Sequence, residues 1–186
     1  MEPEPEDIAA VTELLGRAPR GRFEVVVRDR QGTPMVLRNE PLLDDGTPMP
    51  TRYWLCDRDL NRRIGRIEAV GGVRRAEAEV DAAELAAAHD RYRAERDAAL
   101  PVGWSGPRPF GGVGGTRRGV KCLHTHYAWY LAGGDDPVGR WVDAQLTTAA
   151  DAATAAASAG DQAHRAHPDD VDDPGDPGPT DNGATT

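Results

Sequence analysis

The chain is 186 residues long, 28% charged and 39% hydrophobic, with a formal net charge of −9. That length holds one domain and a tail. The charge is uneven: eight Asp and one Arg lie from Thr147 onward, so the part up to Leu146 is close to neutral. A near-neutral body has no general drive toward nucleic acid or anionic lipid, an acidic tail repels both, and no apolar run reaches the ~18 residues of a membrane span.

In chain order, Asp7 is placed to cap a helix in which Ile8, Val11, Leu14 and Leu15 share a face, stopping near Gly16. Phe23 to Arg28 is rich in β-branched residues and reads as a strand. Asp29 to Thr33 is turn material, and Met35 to Arg38 reads as the return strand of a hairpin. Pro41 to Pro50 is a loop turning at Asp45-Gly46. Thr51 to Cys56 is the third strand. Asp57 or Asp59 caps a helix carrying Leu60, Ile64, Ile67 and Val70, closed by Gly71-Gly72. Val73 to Leu100 reads as one long helix with a thin apolar stripe (Val80, Leu85, Ala88, Tyr92), which places it on the surface of the sheet or against one other helix. Pro101 to Gly119 is a loop with seven glycines and three prolines; loops of that length are functional or mobile. A helix from Val120 to Ala132 follows, and Pro137 opens a last one running to Leu146.

The expected fold is therefore α+β: a small antiparallel sheet of about three strands packed with about five helices. Residues 1–146 form one globular domain and 147–186 an Ala/Asp/Pro/Gly-rich acidic tail, which is too poor in apolar bulk to offset the entropy of ordering and is expected to be disordered. Two cysteines make no disulfide framework, and Met1 to Asp7 is acidic with no apolar core of a signal peptide, so a cytoplasmic chain with reduced thiols is expected. Lys121 is the only lysine among 22 basic residues. Such Arg, Ala and Gly richness follows from GC-rich coding, and it warns against reading every Arg as a chosen ligand.

Chemistry concentrates at Cys122, His124 and His126. Thiolate and imidazole bind zinc, and they also serve as nucleophile and base. Cys122 and His126 are four apart and share a helical face, while His124 points roughly 200° away and joins them only if the helix starts after Cys122. Cys56, at the end of a strand, completes a conceivable zinc set of Cys56, Cys122, His126 and either His124 or His89. The chain has no Cys-x-x-Cys pair, and a buried free Cys beside a core His is the plainer reading. As a nucleophile, Cys122 would gain from a helix N-terminus that lowers its pKa. The glycine-rich approach to Val120, with Arg117, Arg118 and Lys121, suits an anion, although it lacks the spacing of a P-loop. Trp54, Tyr53, Tyr127, Trp129, Tyr130 and Trp141 read as core bulk.

Three separated segments then resemble, in order, the signatures of the actinobacterial family catalogued as domain of unknown function 501. They are Leu15-Gly16-Arg17-Ala18-Pro19-Arg20-Gly21, Asp45-Gly46-Thr47-Pro48-Met49-Pro50-Thr51-Arg52-Tyr53-Trp54-Leu55 and Val120-Lys121-Cys122-Leu123-His124. The resemblance spans Asp7 to Leu146 and carries no agreed catalytic residue. It implies a genomic setting near enolase, a septum-formation-initiator protein and an exopolyphosphatase-like protein, hence a cell-division context for any partner.

Two functions follow as expectations. The first is a non-enzymatic cytosolic module that binds a protein partner, with a structural zinc as its possible cofactor and neither nucleic acid nor membrane as partner. The alternative is an enzyme or ligand-binding domain that takes a phosphate-bearing or other anionic small molecule at the loop before Cys122. No residue is assigned a catalytic role, because no nucleophile–base–stabiliser set is visible.

Overall fold

The computed structural model describes residues 3–149 and 151. The expected tail, apart from 147–149 and 151, lies outside them. Within the unit Met1–Ala149 the described residues form six helices and a three-stranded antiparallel sheet in the order β1-β2-β3, as the α+β reading expects.

Helix α1 (Pro5–Leu15) opens on a proline, whose fixed φ suits a first turn, and ends at Gly16 in the left-handed region at φ 71°. Its N-cap is Glu4, where the sequence reading put Asp7. Asp7 lies inside the first turn and pairs with Arg28 at 2.7 and 2.8 Å. Strands β1 (Phe23–Arg28) and β2 (Pro34–Asn39) form the hairpin, from Phe23↔Asn39 to Arg28↔Pro34. Its turn is held by Asp29, which accepts from the backbone N–H groups of Gln31 and Thr33. Strand β3 (Tyr53–Leu55) pairs with β2 and is shorter than the expected Thr51 to Cys56, although Arg52 and Cys56 still exchange backbone hydrogen bonds with Asn39 and Met35.

Successive residues of a strand face opposite sides, and in β2 both Val36 and Leu37 are fully buried. Leu37 packs with Val11, Phe23 and Cys56 on the α1 side of the sheet. Val36 joins the larger core, with Tyr53, Ile64, Tyr92, Leu123, Trp129, Val138 and Val142. The sheet is thus the middle of three layers.

Helix α2 (Arg58–Ala69) is capped by Asp57, which accepts from Leu60 N at 2.7 Å. The single long helix expected over Val73 to Leu100 is two helices, α3 (Gly72–Glu79) and α4 (Ala82–Ala98). The break is made by Asp81, whose carboxylate accepts from Ala83 N and Glu84 N, both at 2.9 Å, and starts a new helix. Helix α4 packs against both the sheet and α5, where the thin stripe pointed to one or the other. Leu85, Ala88, His89, Tyr92 and Arg96 are buried. The Tyr92 hydroxyl accepts from Arg52 N, and its ring makes edge contacts with Tyr53 and Trp129.

After the long loop and its one 3₁₀ turn (Val113–Gly115) come α5 (Leu123–Leu131) and α6 (137–149). Helix α6 starts at an Asp136 cap, Val138 N and Gly139 N lying 2.8 and 3.0 Å from its carboxylate, and it runs past the expected end at Leu146. Among the described residues, no helix is long and apolar enough to cross a membrane.

Candidate functional site

Helix α5 starts one residue after Cys122, and this decides which groups meet. Cys122 is the N-cap, extended at φ −158° and ψ 125°, so it is not one turn from His126 on a shared face. Its Sγ lies 3.6 Å from Nδ1 of His124. That ring nitrogen is also 3.3 Å from Oε1 of Glu68, on α2. Glu68 Oε1 accepts from Leu123 N at 2.7 Å, which anchors the carboxylate at the start of α5. The far ring nitrogen, Nε2, is 3.1 Å from the carbonyl of Asn61. Burial pushes the Cys122 thiol up, but hydrogen bonds from His124 and from the Thr125 backbone outweigh it and bring the pKa below its ordinary value. The hydrogen bond to Cys122 raises His124 to about 9, against burial and with help from the Asn61 carbonyl. The arrangement sets a thiol beside an imidazole, half-buried at a helix N-terminus, where both neighbours favour its thiolate form.

The other expected ligands are elsewhere. His126 faces inward, its Nδ1 donating to Asp136 at 2.7 Å, and its ring is edge-on to His89 at 5.8 Å. Cys56 is fully buried on the opposite side of the sheet, with Sγ donating to the Pro34 carbonyl at 3.3 Å. Burial raises its thiol to about 12, which disfavours the thiolate that a metal needs. The four-residue set of Cys56, Cys122, His124 and His126 is therefore not assembled. Glu68 was invisible as a ligand because it lies far from Cys122 in sequence, on another helix.

The glycine-rich loop makes a second feature. Residues 111–119 wall a cleft of about 650 Å³ whose other side is α4. Ala82, Leu85 and Ala86 give it an apolar stretch of lining, and Arg93, Arg117 and Arg118 line it as well. The loop is fixed by two buried side chains of α4. His89 accepts from Val113 N at 3.1 Å through Nδ1 and donates to the Gly119 carbonyl at 3.1 Å through Nε2. Arg96 donates from Nη1 to the carbonyls of Phe110 and Gly111 at 3.2 and 2.8 Å. Gly112 is required by this approach, since a Cβ there would sit 2.4 Å from the His89 side chain.

Two carboxylates share the cleft wall, and both are engaged: Glu77 accepts from Val120 N, and Asp90 pairs with Arg93. Arg117 lies over the Phe110 ring at 5.8 Å, and among the described residues its guanidinium and that of Arg118 meet no carboxylate. Of the three expected anion-binding residues, Arg117 and Arg118 line the cleft, while Lys121 is exposed and does not. Arg93 and the anchoring His89 were missed. A period of three and four from Ala82 through Leu85, Ala86 and His89 to Arg93 marks them as one face of α4, but only the fold shows what that face meets.

No curated protein and no solved structure matches this chain. Residues 25–144 match the family described as "Protein of unknown function (DUF501)", a span that takes in the second and third of the resembling segments and leaves out Leu15 to Gly21. With well over half its length matched, the chain belongs to the DUF501 family.

Proposed function

We propose that the chain is a binding domain for a phosphate-bearing small molecule, held in the cleft between α4 and the 111–119 loop. The observation that carries this is the convergence of Arg93, Arg117 and Arg118 on one cleft, with no carboxylate on Arg117 or Arg118 among the described residues. Guanidinium groups match phosphate oxygens in charge and fork geometry. The apolar lining from Ala82, Leu85 and Ala86 suits a ligand with a nonpolar body as well as a charged group. Because His89 and Arg96 already pin the loop, little ordering remains to be done on binding.

The partner-binding reading has less to rest on. The exposed large apolar side chains among the described residues are Ile8, Val70, Val102 and Phe110, on α1, just past α2 and in the long loop. A partner surface of stable size would be a contiguous patch.

A thermal-shift panel in chelator tests the proposal, because a ligand that prefers the folded state raises its stability by about 2.7 kcal/mol at a hundred times Kd. Pyrophosphate and nucleotides are expected to raise the melting temperature, and an uncharged nucleoside is not. A panel in which no phosphate-bearing compound shifts the transition overturns the proposal.

A further inference from the structure

We infer that Glu68, Cys122 and His124 form a binding site for a divalent transition-metal ion, with zinc the best-matched class, separate from the anion cleft. Three observations converge on it. The first is spacing. One donor atom from each residue lies within 4.8 Å of the other two, and this is the group of that kind found among the described residues. Zinc bonds of about 2.3 Å to sulfur and about 2.0–2.1 Å to nitrogen and oxygen, at tetrahedral angles, place S and N about 3.6 Å apart and N and O about 3.3 Å apart. The Sγ–Nδ1 and Nδ1–Oε1 distances are 3.6 and 3.3 Å.

The second is the orientation of the imidazole. The Asn61 carbonyl can only accept, so the Nε2 that faces it at 3.1 Å carries a proton. In the neutral ring the lone pair is then on Nδ1, the atom turned toward the thiol and the carboxylate. Metal-bound histidines are held in this way, with the distal N–H given to a carbonyl or carboxylate.

The third is support of the remaining ligands. Leu123 N fixes the Glu68 carboxylate at 2.7 Å, and Cys122 is held by its place as the N-cap of α5. The site is neither sealed nor flat on the surface: the His124 and Glu68 side chains are 24% and 27% exposed, which leaves an approach path for an ion. Thiolate, imidazole and carboxylate together suit zinc or cobalt better than magnesium or calcium, which favour all-oxygen sets. Three protein ligands leave a fourth position for water or another ligand.

Cobalt(II) reports on the site directly, through the near-ultraviolet charge-transfer band that a thiolate–cobalt bond produces. Titration of the full chain, first stripped with chelator, is expected to give that band with saturation at one ion per chain, and zinc is expected to bleach it. Cys122→Ser is expected to abolish the band, and Cys56→Ala to leave it intact. Glu68→Gln is expected to raise the cobalt Kd at least about tenfold, and as a half-exposed side chain it also covers the case in which Cys122→Ser fails to fold. An Arg117→Ala, Arg118→Ala double variant is expected to bind cobalt as the parent does. Absence of a saturable band in the parent, a band that survives Cys122→Ser or depends on Cys56, or a Glu68→Gln titration that matches the parent would each overturn the site.

Discussion

His89 does two jobs with one ring. Nδ1 accepts from Val113 and Nε2 donates to the Gly119 carbonyl, so the neutral tautomer is the one that closes the loop over α4. Protonation would put a donor where Val113 N also donates. Burial first, and then the neighbouring His126, hold the His89 pKa below its ordinary value, while the Gly119 carbonyl, Asp136 and Asp90 pull the other way. The unfolded chain takes up a proton near pH 6.5 that folded His89 resists, so its contribution to stability is complete above about pH 6.5 and shrinks as the pH falls below that. Urea unfolding at about pH 7.5 and about pH 5.5 should show a larger loss for the parent than for His89→Gln. Equal losses would mean that His89 does not carry this pH dependence.

At the scale of elements, helix starts decide both what the sequence shows and what it hides. The hairpin, the third strand and α2 are legible because each is local: β-branched runs, a turn at Asp29 to Thr33, and an Asp57 cap before a periodic apolar set. The α3–α4 break is hidden because 73–100 contains neither Gly nor Pro, and its one signal is Asp81 with Glu84 three residues on. Asp81→Ala should lower stability by about 1 kcal/mol in denaturant unfolding, the usual worth of such a cap. A change near zero would show that tertiary packing alone sets the start of α4. The start of α5 matters in the same way. One residue earlier in the helix, Cys122 would turn away from His124; as the extended N-cap it turns toward it.

For the whole molecule, composition and periodicity reach the class of fold, the strand count and the loop that forms the cleft, since those follow from local pattern. The sites follow from which elements pack together. Glu68 comes to Cys122 and His124 from α2, and Arg93 joins Arg117 and Arg118 in lining the cleft from α4. Spacing along the chain points to Cys122 with His126, and the core instead takes His126 to Asp136. Calorimetric titration of metal-free protein with pyrophosphate at low salt, for the parent and for Arg117→Ala, Arg118→Ala, tests phosphate binding in the cleft most directly. The expected result is saturable one-site binding by the parent that weakens as salt is raised, because the cleft arginines are solvent-facing, and no measurable binding by a double variant that melts like the parent. No saturable heat from the parent, or equal affinity in the double variant, would contradict it.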